Sequence, residues 1–485
     1  MAIEVPPAPA RTDIKIAGAL GALIVVICAI LGSTVAITAG NCSAALALPG
    51  LCSSSLAIPL GIGIAALPLI AFAVARRPLV TFFSLYAVLV PIDAALLVGQ
   101  SLTLTKLLGI GAALSAIALL VQRRVKLQVP YAVFGWGALI ALMALSTSWT
   151  IDPALSTQDL GTVVSTFALL AVMAAVPLEA SDFGAIVGAT IASGVVVGIV
   201  AIVMARHELS TIAGQVGRLY LTFGSATEDP NRFGASLLLP VAVTVAAIVR
   251  MRGWARLGLL AILPLPLAAI YLTASRGTTL ALITMALVTI LASRYRFALG
   301  TMLAGAVLLF FAIPNEITSR FLAERSEGVS AAGRFDIWRV GVEVFRGHWL
   351  LGNGIGSFPT AYDRAFLAAF EPQFAGWNRA PHSLLISTST ELGVVGIVVT
   401  IVALVLQYRS LRLIKPEHPY YWMRAPLRAA FVGLLLAAFF VDVLETKFAW
   451  LLFTEMLLAA RLAATAASPE RSRDAPSGET IVATR

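Results

Sequence analysis

Three arginines and one histidine stand in short stretches whose residue types suit the handling of a charged ligand. Arg232 lies in Asp229-Pro230-Asn231-Arg232-Phe233, Arg276 in Thr273-Ala274-Ser275-Arg276-Gly277, and Arg334 follows Gly333. Each is set among Gly, Pro or Asn, which reads as a shaped turn, and two lie at the edges of apolar runs. An arginine at a span end is costly unless it snorkels or finds a partner. A cluster of guanidiniums suits a phosphorylated or acidic ligand, because the planar fork grips phosphate through two bonds. Arg218 shares the polar stretch 206–233 with Arg232. For Arg320, Arg325 and Arg364 a solvated loop charge is the simpler reading. His382 follows Pro381 and opens an apolar run, where the positive end of a helix dipole disfavours the imidazolium. A neutral imidazole there suits a general base; the plainer alternative is an ordinary helix-start residue. Asp442 and Glu445 are either partners for these arginines or solvated side chains. No HExxH, CxxC or paired-His spacing occurs, so neither a metal nor a cofactor is expected. Gly352-x-Gly-x-Gly lacks the context of a dinucleotide fingerprint.

These groups need a scaffold, and composition says which kind. Hydrophobic residues make up 59% of the 485 residues and charged residues 12%, about half the charged share of a soluble domain. The fold class expected is an all-α integral membrane protein. Runs of about 20 residues, enough to cross a bilayer, fit at 14–38, 56–75, 78–99, 104–121, 130–147, 160–177, 184–205, 234–250, 256–273, 277–294, 297–313, 384–407, 426–443 and 447–464. That is about fourteen transmembrane helices (range 12–14), with Pro91 making 78–99 the weakest.

The net charge is 34 − 25 = +9. No basic stripe with interleaved aromatics accompanies it, so nucleic acid is not an expected partner. The excess reads as topology. Arg76-Arg77, Arg123-Arg124, Arg250, Arg252, Arg256, Arg409, Arg412 and Lys415 fall in alternate loops, whereas 39–55 and 148–159 carry no Lys or Arg. The bias predicts both termini in the cytoplasm. The domain plan is a cytoplasmic tail 1–13, helices one to eleven over 14–313, a large outer loop 314–383, helices twelve to fourteen over 384–464, and an unfolded cytoplasmic tail 465–485. The first apolar run has no A-x-A-like cleavage site and is expected to be retained. Cys42 and Cys52 flank an outer loop, where a disulfide is plausible beside two free thiols.

The outer loop is too polar to sit in hydrocarbon and is partly helical. Phe335, Trp338, Val342, Phe345 and Trp349 recur at spacings of three and four, which predicts an amphipathic helix over 335–349. Its aromatic face suits either the headgroup layer or the bundle. The glycines at 352, 354 and 356 are expected to end it in a flexible turn, with a second short helix over 359–370. Span interiors carry almost no ionisable groups in this reading, which disfavours a lipid-linked glycan or anion transporter.

Taken in order, four stretches resemble the bacterial O-antigen ligase and polymerase superfamily. They are Gly217-Arg218-Leu219 through Asp229-Pro230-Asn231-Arg232-Phe233; Ser275-Arg276-Gly277; Gly333-Arg334 with Trp338 and Leu351-Gly352-Asn353-Gly354-Ile355-Gly356-Ser357-Phe358; and Pro381-His382-Ser383-Leu384 with Glu391-Leu392-Gly393-Val394-Val395-Gly396. Together they cover about residues 210 to 400. The resemblance implies transfer of a glycan from a polyprenyl (undecaprenyl) diphosphate carrier to an acceptor sugar, at the periplasmic face of the inner membrane. It implies that Arg232, Arg276 and Arg218 bind the diphosphate, that Arg334 assists and that His382 meets the acceptor hydroxyl. The acceptor would be a lipid A-core sugar for a ligase, or another carrier-linked unit for a polymerase. Membrane lipid is the remaining partner. Where the family often has His-Asn, this chain has His382-Ser383.

Overall fold

A computed structural model describes residues 72–96, 102–123, 129–205, 217–223, 226–291, 300–305, 307–308, 334–369, 377–418 and 420–466. The tail 1–13, the span 14–38, nearly all of 56–75, the Cys42/Cys52 pair, Arg320, Arg325, the stretch 309–333 and the tail beyond 466 lie outside the described residues.

Among the described residues the chain is helical apart from one small hairpin. The helices are α1 (Pro78–Leu89), α2 (Leu104–Arg123), α3 (Tyr131–Ser146), α4 (Pro153–Ala175) and α5 (Ala180–Met204). The hairpin β1 (Leu221–Phe223) and β2 (Ala226–Glu228) follows, pairing antiparallel with Thr222 opposite Thr227. Next come α6 (Pro230–Ser236), α7 (Leu238–Arg250), α8 (Trp254–Ile262), α9 (Pro264–Leu272), α10 (Arg276–Leu291), α11 (Arg334–Gly347), α12 (Phe358–Ala369), α13 (Leu384–Ser410), α14 (Arg424–Ala437) and α15 (Lys447–Ala466). Six helical stretches among these residues are long and apolar enough to cross a membrane, with α6–α7 and α8–α9 each counting as one. This is an all-α, multi-pass membrane architecture.

Local chemistry sets the boundaries. Pro91 cannot continue an α-helix ladder, and Val90–Ala95 tightens into a 3-10 turn after α1. Asp152 caps α4 by accepting the Leu155 N–H at 3.1 Å, with Pro153 in the first position, where its missing donor costs nothing. The expected helices over 335–349 and 359–370 are α11 and α12, within two residues at each end.

Packing follows membrane rules, in which small residues let backbones approach. In α5 a Cβ at Gly198 would lie 2.6 Å from the Leu265 carbonyl carbon of α9, so only glycine permits that contact. The α3, α13 and α15 helices meet around Trp136, whose ring lies 4.9 Å from Phe453 and 5.2 Å from Trp450. Trp136 Nε1 donates to Gln407 Oε1 at 3.0 Å, and Gln407 Nε2 donates to the Phe453 carbonyl at 3.0 Å. Every polar atom in this buried knot is therefore matched, as hydrocarbon surroundings demand.

The spans nonetheless hold ionisable groups that the expectation of almost none passed over. Glu455 is fully buried in the middle of α15, accepting from Thr190 Oγ1 of α5. Lys447, at the start of α15, places Nζ 2.7 Å from both Asp93 oxygens and 2.8 Å from Thr103 and Thr105 Oγ1. Hydropathy averages hide such groups because one ionised residue barely moves a 20-residue window, and only tertiary contacts reveal their partners.

Candidate active site

The site grows from one N-cap. Asp229 Oδ1 accepts the backbone N–H of Asn231 at 2.8 Å and of Arg232 at 3.1 Å, and Pro230 occupies the first position of α6. Burial pushes the Asp229 carboxyl up, but these two donors, with His382 and Arg218 nearby, outweigh it and hold its pKa below the usual value. The cap fixes the rotation of α6 and so the directions of its next two side chains. Arg232 Nη2 reaches Glu445 Oε2 at 3.2 Å, in the segment between α14 and α15. The pairing considered for Glu445 is thus present, with both side chains about one-third exposed. Asn231 turns inward. Its Oδ1 accepts from Arg218 Nη2 at 3.2 Å and from Ser275 Oγ at 2.9 Å.

Those two bonds tie Arg218 to the hinge before Arg276. The buried Arg218 also donates Nε to the Thr273 carbonyl at 3.0 Å, and Leu219 N bonds the Leu272 carbonyl at 2.9 Å. Ala274 takes φ +45°, a conformation that costs an alanine about 1–3 kcal/mol and persists only where surroundings over-determine it. Here Thr273, Ser275 and Arg218 do so. Arg276 then opens α10. Arg218 thus has its Nε and Nη2 engaged by protein, whereas Arg232 keeps an exposed portion.

The second half of the site comes from α11, the segment around His382, and Phe440. The His382 backbone is left-handed, at φ +48°. Two bonds flank it: Trp338 Nε1 donates to the Pro381 carbonyl at 3.3 Å, and Leu384 N donates to the Ala438 carbonyl at 2.8 Å. Arg334, first residue of α11, stacks its guanidinium 5.9 Å from the Phe440 ring centre. The same ring closes on Gly277, where a Cβ would lie 2.8 Å from it. Phe440 thereby joins Arg334 to the turn that carries Arg276. Burial lowers the His382 pKa, and Arg334, Arg232 and Arg379 lower it further against an opposing pull from Asp229. The imidazole is therefore neutral at neutral pH. Burial and the surrounding guanidiniums, rather than the expected helix dipole, keep it so.

The glycine-rich turn differs from expectation in kind. It is buried rather than a flexible surface link. Gly352, Gly354 and Gly356 all have positive φ, and α13 is itself broken at Gly393, φ +64° and ψ −161°. The two irregularities satisfy each other. Asn353 N and Gly354 N donate to the carbonyls of Thr390 and Glu391 at 2.9 and 2.8 Å. Val394 N returns a bond to the Trp349 carbonyl at 2.8 Å, and Ile355 N donates to Ser146 Oγ at 3.0 Å. A Cβ on Gly352 would stand 2.3 Å from the Glu391 carbonyl carbon. Glu391 is buried in this knot and takes the Phe358 N–H at 3.4 Å.

The structure thus gathers Arg232, His382 and Arg334 around one end of the bundle, with Arg276 joined through Phe440 and Arg218 behind the hinge. Guanidiniums beside a neutral imidazole can hold a multiply charged anion and accept a proton next to it. Sequence reasoning missed Asp229, Asn231 and Phe440. Asp-Pro-Asn before an apolar run was a legible N-cap signal; Phe440 had none. Among the described residues no group of three His, Cys, Asp or Glu is arranged to hold a metal ion. A comparison with curated proteins finds no match. Residues 259–401, from α8 into α13, match the family model for O-antigen ligase.

Proposed function

We propose that this site transfers a glycan from a polyprenyl diphosphate carrier to an acceptor sugar, as an O-antigen ligase would. The superfamily already supports a membrane glycan-transferring role; donor, acceptor and residue roles are the proposal. The observation that carries it is the set of guanidiniums around a neutral His382.

In this reading Arg232 and Arg276 hold the diphosphate, and Arg334 assists. Arg218 supports them by fixing the hinge. As the C1–O bond to the diphosphate breaks, negative charge grows on the leaving oxygen, and preorganised guanidiniums stabilise it. The acceptor hydroxyl attacks C1 from the opposite face, inverting that centre, and its proton passes to His382. A positioned general base contributes about 10²–10⁴-fold. The sugar–diphosphate bond supplies the driving force, so no ATP is required.

The test uses purified protein with a polyprenyl-diphosphate oligosaccharide and lipid-core acceptor added or withheld, products being resolved by mass. Transfer only when the core is present is expected of a ligase. Longer carrier-linked chains without it would assign polymerisation instead. Arg232→Ala and Arg276→Ala should abolish transfer in folded, inserted protein, and normal turnover in either removes the clamp.

A further inference from the structure

Beyond the catalytic groups, α11 carries a surface that the site does not use. Ile337, Val340, Gly341 and Val344 bury one face against Phe358, Tyr362 and Ile386. The opposite face reads Phe335, Arg339, Val342, Arg346 and then Trp349, all exposed. These positions advance by four, three, four and three residues, one stripe of a helix. Large apolar and cationic side chains alternate along it. Phe335 is 57% exposed, Trp349 56%, and Leu350 and Leu351 continue the apolar exposure past the helix end.

The position of that end identifies what covers it. The Trp349 and Leu350 carbonyls accept from Val394 and Val395 N at 2.8 and 3.3 Å, so Trp349–Leu351 abuts the break in α13. Below the break α13 exposes Val398, Ile401, Val402 and Val405, an apolar strip facing away from the bundle. It ends at the exposed Arg409 and Arg412, which belong in the headgroup layer of the far leaflet. Val394 to Arg409 is 15 residues, or about 22 Å of helix, against a hydrocarbon core of about 30 Å. With Arg409 in the far headgroup layer, this length sets Trp349–Leu351 at the depth of the acyl chains on the site face. The half-buried Val394 and Val395 lie between it and the strip on α13.

We propose that α11 is an interfacial helix seated on the leaflet at the site face, with Trp349-Leu350-Leu351 as a wedge entering the acyl region beside the broken α13. The partner is the bilayer lipid itself: acyl chains take Phe335, Val342 and the wedge, and the exposed Arg339 and Arg346, the latter also paired with Glu343 at 2.5 Å, stand at the height of the headgroup phosphates. This explains two features together. The backbone break at Gly393 lies at membrane depth, where unpaired polar groups are excluded, and the wedge both bonds the backbone beside it and shields it from lipid. Arg334 and the Pro381 carbonyl, bonded by Trp338, are thereby held at headgroup height. The inference does not depend on glycan transfer.

The test places a spin label on the full chain in phosphatidylcholine nanodiscs, after replacing Cys28, Cys42 and Cys52 with serine. Leu350→Cys is compared with Val402→Cys on the apolar strip and Arg364→Cys on α12. Collision with oxygen should exceed collision with a water-soluble nickel chelate several-fold at 350 and 402, and the order should reverse at 364. A label at 350 as open to nickel as that at 364 overturns the proposal. A label at 350 closed to both reagents also overturns it, because protein would then cover the wedge. If the cysteine-free chain does not fold, brominated phosphatidylcholine with the native chain decides. Trp349→Phe must then remove a lipid-quenched emission component, and unchanged quenching overturns the wedge.

Discussion

Asn231→Ala tests the core of the site most directly. Asn231 is buried, and its single Oδ1 accepts two bonds, from Arg218 Nη2 at 3.2 Å and Ser275 Oγ at 2.9 Å. The substitution removes one bond to a charged group, worth about 1.5–3 kcal/mol, and one neutral bond, worth about 1 kcal/mol. It leaves a buried guanidinium with one donor stranded, so the loss of stability should be about 2.5–4 kcal/mol. Reversible unfolding in mixed micelles measures it. The Arg276 hinge loses its tether at the same time, so turnover should fall further than stability alone explains. Asn231→Asp keeps the acceptor and should retain most of both. Combined with Ser275→Ala, the cycle should show a coupling of at least about 0.5 kcal/mol, since the residues share a bond. A loss below about 1 kcal/mol with strict additivity would refute this account of the hinge.

Three further outcomes are expected. His382→Ala should lower kcat more than donor affinity. Because burial and arginines depress the folded pKa, the neutral, proton-accepting form persists through about pH 6.5; activity should fall only below that, and a limb centred at or above it contradicts the assignment. The same group contributes stability above its unfolded pKa, lost as pH drops through the folded one. Gly354→Ala would place a Cβ 2.5 Å from Thr150 Cβ at φ +93°, so strain and overpacking should cost about 2–6 kcal/mol; near-native unfolding would show that the turn yields. Lys447→Met leaves the Asp93 carboxylate facing two threonines without its cation, and should destabilise by about 3 kcal/mol, whereas Lys447→Arg should recover part of that.

The sequence by itself determined the class of molecule and most helix positions. The expected spans at 104–121, 160–177, 184–205, 234–250, 256–273 and 384–407 coincide with helical stretches long and apolar enough to cross a membrane, because hydrocarbon forces backbone groups to pair within the helix. It also marked His382 and the arginines, since shaped turns and span-edge charges are local signals. What it could not supply was any pairing across the chain. Arg218 and Arg232 look alike in sequence, yet Asn231, Thr273 and Glu445 divide them into a supporting arginine and a more open one. Gly352-x-Gly-x-Gly reads as a flexible turn and Gly393 as part of the apolar span 384–407, and only their contact makes each the hydrogen-bond complement of the other. Phe440, which joins Arg334 to the Arg276 turn, carries no signal at all in a run of apolar residues. Local patterns depend on neighbours a few residues away; these contacts join segments more than a dozen residues apart, and the folded chain alone decides them.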